Sequence, residues 1–340
     1  MVNRIELQGQ GQGHGQRRDA RIVFGIVSAR QSPATVGQLV TLLAPHPVLV
    51  HHDFTQQPAF GLALPNVAFV PDPKRTGWAT WGFCEAIFHT LQHALDRHDF
   101  DYFQLLSPTC LPIRPLEAFE RFAVDGAADA NIDMLAVDGD DDTLMTFGFR
   151  TYAPGGSLRF RLLRRARRWY FGQGSALVQT RSLSLLRRAP GRGAGWRGLA
   201  GRVGLALTRR AAVGGLGAHP FASALTPMIG GTFFGARRSA CEYLVRMGRD
   251  ERAMAYFRRL ALVDETLFPT LLANGGFTIG PANHAVNPFL DDGHPRWIEA
   301  QDLDTLIGTG RYFGRKFVDD PRAAVRREVI ERIGARVPAL

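Results

Sequence analysis

A chain of 340 residues, 45% apolar and 21% charged, has ordinary globular composition and enough length for a sizeable core. That composition excludes disorder over the whole chain, and no run of about 18 apolar residues is present to cross a bilayer as a helix. The formal charge of +10 is local: residues 151 to 215 hold fourteen arginines and no acid, so the rest of the chain nets −4.

Cys84, Cys110 and Cys241 are too few and too unpatterned for a disulfide framework or a zinc site, which points to a reducing compartment. The first twenty residues lack an apolar signal core, so the expected location is cytoplasmic. Of 41 basic residues 39 are arginine; the exceptions, Lys74 and Lys316, each invite a question about what arginine could not do there.

In chain order, residues 1–20, with the Gln-Gly alternation from Gln8 to Gln16, read as a flexible tail. Ile22 to Val27 reads as a strand, Ala34 to Leu43 as a helix, and Val48 to His52 and Val67 to Val70 as strands. Between Gly82 and Arg97, apolar residues at Cys84, Ile87, Phe88, Leu91, Ala94 and Leu95 predict a helix with one buried face. Tyr102 to Leu106 is a strand, Leu116 to Phe122 a helix, and Ile132 to Val137 a strand. Strands alternating with helices imply a largely parallel sheet covered on both faces.

The alternation breaks at 151–225, which is rich in Arg and Gly, with a loop at Pro190 to Gly195. It resumes with a strand at Met228 to Phe234 and helices at Arg237 to Met247, Asp250 to Leu260 and Asp264 to Leu272. A short strand at Phe277 to Ile279, a helical turn at Asp302 to Ile307 and a closing helix at Ala323 to Ile333 complete the chain. No internal repeat is found. The expected organisation is residues 1–20 as tail and 21–340 as one domain carrying a basic insertion at 151–225.

In open α/β sheets ligands bind beyond the carboxyl ends of the strands. The residues there are Ser28, Asp53, Ser107 and Asp138. An acid closing the second strand either caps a turn or accepts hydrogen bonds from a ribose or a base edge. No Gly-x-Gly-x-x-Gly follows the first strand and no phosphate-loop lysine motif occurs, which disfavours a Rossmann dehydrogenase or a P-loop ATPase. Asp138 and Asp140 have the Asp-x-Asp spacing that can hold a divalent metal, and equally the chemistry of a solvated acidic turn.

Several segments together resemble one family. Gly230-Gly231-Thr232-Phe233-Phe234-Gly235-Ala236-Arg237-Arg238, running on to Glu242-Tyr243, is similar to a Gly-Ser-x-Trp-Trp-x-Leu-x-Arg strand and Glu-Tyr helix. Asp264-Glu265-Thr266-Leu267-Phe268 is similar to Asp-Glu-x-x-Phe. Gly293-His294-Pro295-Arg296, Asp302-Leu303 and Phe313-Gly314-Arg315-Lys316-Phe317 resemble a His-Pro-x, Asp-Leu, Phe-Ala-Arg-Lys-Phe ending. Upstream, Val50-His51-His52-Asp53, Trp78-Ala79-Thr80-Trp81-Gly82 and Phe103 to Ser107 with Pro112 match further elements. The family is the Core-2/I-branching β-1,6-N-acetylglucosaminyltransferases, with the peptide O-xylosyltransferases. The resemblance spans roughly residues 21 to 320 outside the basic middle; six motifs in order make it specific.

The resemblance implies a GT-A-like α/β fold: a mostly parallel sheet, a Rossmann-like nucleotide-binding half and an Arg-rich helical insertion. It implies an inverting glycosyltransferase, without metal or other cofactor, moving N-acetylglucosamine or xylose from a UDP-sugar to an acceptor hydroxyl on a glycan, lipid-linked saccharide or protein. Glu265 matches the catalytic base, Arg296 and Lys316 the basic pair on the donor diphosphate, and Val27, Asp53 and Trp78 the nucleoside contacts. Three departures stand out: Cys110 replaces the family's Asp, Phe233-Phe234 replaces Trp-Trp, and the anchor and disulfides of animal members are missing, which suggests a bacterial-type enzyme.

In Leu158 to Tyr170, arginines interleave with apolar residues. As a helix this segment is basic and amphipathic, suited to an anionic membrane surface, and less to nucleic acid. The alternatives are a solvated Arg-biased insertion or a surface facing an anionic acceptor. The competing whole-chain readings are a non-catalytic basic module for anionic membrane or nucleic acid, and a metal-using transferase.

Overall fold

The structure is a computed structural model, described for residues 21–152, 158–172, 175–180, 183–188, 196–212, 225–260, 262–287 and 295–335. The chain opens with β1 (Ile22–Ser28), every residue of which is buried, as an apolar run in a central parallel strand should be. Helix α1 (Pro33–Leu42), started by a proline whose fixed φ suits the first turn, returns the chain to β2 (Val48–His52) and then β3 (Val67–Phe69). Helix α2 (Trp81–Arg97) buries Cys84, Ile87, Leu91 and Ala94 at the expected helical spacing. Next come β4 (Tyr102–Leu106), β5 (Leu111–Pro112), α3 (Leu116–Asp125), β6 (Ala130–Asn131) and β7 (Met134–Ala136).

The basic region contributes α4 (Asp141–Tyr152), α5 (Leu158–Phe171), a hairpin of β8 (Ala176–Thr180) and β9 (Leu183–Arg187), and α6 (Trp196–Ala212). The chain then forms β10 (Met228–Gly230), β11 (Gly235–Arg237), α7 (Arg238–Gly248), α8 (Glu251–Phe257) and α9 (Asp264–Asn274). It closes with β12 (Ile279–Gly280), β13 (His284–Val286), α10 (Leu303–Gly308), β14 (Phe313–Arg315) and α11 (Ala324–Arg332).

The main sheet has the order β12-β6-β11-β4-β1-β2-β3. β1 pairs in parallel with β2 and β4, and β2 with β3, whereas β11 lies antiparallel between β4 and β6. Alternate residues of the strands feed two cores. Val23, Leu49, Phe103 and Leu105 pack against α2, α7 and α9, while Phe24, Val50, Tyr102 and Leu106 pack against α1, α3 and α11. A small sheet, β13-β14-β5, flanks the second core.

Two expectations need correcting. The strand expected over Ile132 to Val137 shrinks to β7 (Met134–Ala136), in a different sheet from β6 just before it, because Asp133 turns inward between them. Its buried carboxylate accepts the Ala282 amide (3.1 Å) and faces the Arg311 guanidinium (3.4 Å). The strand expected over Met228 to Phe234 likewise shortens to β10 (Met228–Gly230), which pairs with β7, and the strand that joins the main sheet, β11, begins only at Gly235. Helix α6 and the β8–β9 hairpin fall where the Arg-rich composition hid any period, and α4 precedes that segment. The tail at 1–20 and the Pro190 to Gly195 loop lie outside the described residues. Among the described residues no helix is long and apolar enough to cross a membrane.

Candidate active site

The carboxyl ends of β1 and β2 are tied together before any ligand is considered. Ser28 Oγ lies 2.8 Å from His52 Nδ1, His52 Nε2 lies 3.1 Å from the Gln57 carbonyl, and the His52 ring stacks on Phe60 at 3.9 Å. The Asp53 amide donates to the Ser28 carbonyl (3.0 Å). The Asp53 carboxylate then gathers two loops. Its Oδ1 accepts the Thr55 amide (3.0 Å) and hydroxyl (2.6 Å); its Oδ2 accepts Gln56 Nε2 (2.7 Å) and the Thr76 amide (2.6 Å). Burial alone would raise the Asp53 pKa, but the hydrogen bonds from Gln56, Thr55 and Thr76 outweigh it and hold the group well below the usual carboxylate range.

Those bonds anchor the loop that carries Trp78, whose side chain is 76% exposed, so a large aromatic face stands at the mouth of the strand ends. The Leu262 amide donates to the Ala79 carbonyl (3.1 Å), and the Glu265 amide to the Leu262 carbonyl (3.3 Å). Ala79 and Leu262 both have left-handed backbones, with φ of 61° and 52°. That conformation costs about 1–2 kcal/mol for a residue with a Cβ, so the surrounding packing holds both in place. Hydrogen bonds thus join Asp53 to Thr76, and Ala79 through Leu262 to Glu265, with the chain from Thr76 to Ala79 linking the two.

Asp264 and Glu265 form the first turn of α9, where acids suit the helix dipole. Asp264 is buried and accepts the Thr232 hydroxyl, which joins α9 to the Gly230-Gly231-Thr232 segment. Gly230 is needed there: a Cβ would sit 2.6 Å from the Asp133 carbonyl oxygen and 2.7 Å from Pro269 Cγ.

Strand β14 brings the cations. The Arg315 guanidinium lies 4.6 Å over the Phe233 ring. Burial pulls its pKa down, opposed by the Cys110 thiol and the carboxylates of Glu265 and Asp264, so Arg315 shares an electrostatic neighbourhood with Glu265. His284, one strand away, sits between Phe233 and Phe313, and burial together with the charges of Arg315 and Arg311 pulls its pKa to about 3.

Lys316 Nζ stands 3.9 Å over the Trp297 ring. The Lys316 carbonyl accepts the Ile298 amide (2.9 Å), and the Phe317 amide donates to the Thr109 carbonyl (2.9 Å), in the loop that follows β4. One rung therefore brings the Lys316 and Arg296 segments side by side. Asp302 accepts from Arg296 Nη2, and Glu299 lies 3.6 Å from Nη1, fixing the direction of the guanidinium fork.

Of the residues singled out in the sequence, Asp53, Trp78 and Glu265 fall on these linked segments, and Lys316 and Arg296 on adjoining ones. Val27 is different: its side chain belongs to the core, so only its backbone reaches the strand end. Arg315, His284 and Trp297 were missed; Arg315 was quoted within its motif but given no role, and only the folded structure sets its guanidinium over the Phe233 ring. Asp140 is engaged as the cap of α4: its carboxylate accepts the Thr143 amide and hydroxyl, each at 2.8 Å, and Arg187 at 2.9 Å. Among the described residues no group of three or more His, Cys, Asp or Glu is arranged to hold a metal ion.

The family model described as Core-2/I-Branching enzyme, a family of glycosyltransferases, matches residues 48–132. The matched span runs from β2 to β6 and includes Asp53 and Trp78, while Glu265, Arg296 and Lys316 lie beyond it. No curated protein matches the chain.

Proposed function

We propose that the protein is an inverting glycosyltransferase that moves N-acetylglucosamine or xylose from a UDP-sugar to an acceptor hydroxyl, without a metal ion. The observation that supports the reading is the set of hydrogen bonds that ties the Asp53 and Thr76 loops and the Ala79, Leu262 and Glu265 backbone, with Arg315 in the electrostatic neighbourhood of Glu265 and Lys316 next to it in the chain. In this reading Asp53 serves the nucleoside, Glu265 is the base and the cations meet the diphosphate.

In this mechanism the exposed Trp78 face stacks on the uracil. Asp53 holds the loop in register and offers its remaining acceptor capacity to the nucleoside, and the Val27 backbone lies beside the base. Glu265 takes the proton from the acceptor hydroxyl as its oxygen attacks the anomeric carbon. The bond from that carbon to the phosphate oxygen breaks on the opposite face, so the configuration inverts, and the electron pair leaves on the diphosphate. Arg296 and Lys316 neutralise that charge; the guanidinium gives a fork and the ammonium a compact movable charge. Glycans, lipid-linked saccharides and glycosylated proteins all present suitable hydroxyls.

The test is a hydrolysis and transfer screen of UDP-sugars in EDTA. Turnover of UDP-N-acetylglucosamine or UDP-xylose is expected, and Glu265→Gln should lose roughly 10²–10⁴-fold while still binding UDP. Turnover that appears only with manganese or magnesium would overturn the metal-free part. Full activity in Glu265→Gln would overturn the assignment of the base.

A further inference from the structure

The basic region carries an apolar stripe that the fold leaves facing outward. Helix α6 packs on α5 through small residues: Gly201 and Gly204 are buried, and a Cβ at Gly204 would lie 2.4 Å from the Ala166 Cβ. On the other side of α6, Leu199, Val203 and Leu207 recur every four residues and are 57%, 53% and 50% exposed. Leu158 and Leu162 on α5 are exposed as well. Arg161, Arg164, Arg165 and Arg168 on α5 and Arg202 on α6 are exposed among them, and no acid occurs between 151 and 215.

We propose that this outer face of α5 and α6 docks on an anionic lipid bilayer. The leucines and valine enter the boundary of the acyl chains, and the arginines meet the lipid phosphates above them. Charge complementarity selects an anionic surface. The aliphatic stripe selects a bilayer over a nucleic acid, because a phosphate backbone would use the arginines and leave three aliphatic side chains with nothing apolar to enter. Long arginine stems suit this arrangement, lying along apolar surface with the charged head in the headgroup layer.

The docked region is fastened to the rest of the protein. Gln179 Nε2 of the β8–β9 hairpin donates to the Val286 carbonyl (3.2 Å) on β13, the neighbour of the strand that carries Arg315. Docking would therefore hold the candidate site close to the membrane surface. The proposal stands independently of the transferase reading, since vesicle binding needs no nucleotide.

Co-sedimentation of the full chain with vesicles tests it. Binding to vesicles containing phosphatidylglycerol should exceed binding to phosphatidylcholine alone by at least about tenfold and weaken at high salt. The variant Leu199→Ser/Val203→Ser/Leu207→Ser, shown folded by circular dichroism, should lose about tenfold in binding. Should it fail to fold, Val203→Cys carrying a polarity-sensitive dye gives a second readout, with a blue shift expected on anionic vesicles. Equal binding to both vesicle types, an unshifted dye, or an unaltered serine variant whose binding duplex DNA competes away would overturn the proposal.

Discussion

Lys316 sits where its ammonium meets an indole face and its backbone pairs with the segment of Arg296. Lys316→Ala should lower kcat by roughly 10²–10³-fold and remove the thermal protection that UDP gives in EDTA, with Lys316→Arg recovering only part of either. Two histidines make a separate prediction about pH. Burial, with His89 beside it, pulls the His51 pKa to about 4, and burial with Arg315 and Arg311 pulls that of His284 to about 3. Both folded values lie below the ordinary value of 6.5, so the unfolded chain binds protons that the folded chain refuses. The contribution of these groups is fully present above pH 6.5 and declines as pH falls towards 4. Urea midpoints measured across that range should fall, by up to about 1 kcal/mol per pH unit for each histidine, and His51→Gln should flatten the slope.

At the scale of elements, the site is held by close approaches that tolerate little change. Strand β10 meets α9 where Gly230 faces Pro269 and the Asp133 carbonyl, so Gly230→Ala should destabilise by about 1–3 kcal/mol in chemical denaturation. Ala79 is a different case: its backbone is left-handed and the residue is half-buried. Ala79→Gly should raise stability by about 1 kcal/mol, because glycine adopts that φ freely. The same change should weaken UDP binding, read by calorimetry, since the Trp78 loop would lose the stiffness that aims it.

The whole molecule buries its three cysteines, Cys84 on α2, Cys241 on α7 and Cys110 in the loop between β4 and β5. Burial raises all three thiols above their ordinary range, that of Cys110 to about 12. A thiol reagent should therefore label none of them at neutral pH in the folded protein and all three in denaturant. Cys110 lies near the charges of Arg315 and Arg326, two inward-facing guanidiniums, at the position where the resemblance sets an aspartate. The departure noted in the sequence thus replaces an acid by a neutral buried thiol beside two guanidiniums.

Residues 21 to 106 were legible because each element there carries its own signal: apolar runs for β1, β2 and β4, a helical period in α2, and turn residues at the strand ends. Glu265, Arg296 and Lys316 were singled out by motif resemblance alone. The shortening of the strand expected at Ile132 to Val137 was not legible, because Asp133 turns inward only to meet Ala282 and Arg311, residues nearly 150 or more positions away. The same holds for the site. Residue types and spacing are local properties that a sequence carries by itself, whereas the links between Asp53 and Glu265 and the placing of the Arg315 guanidinium over the Phe233 ring exist only once packing brings distant segments together, and packing is a property of the folded whole.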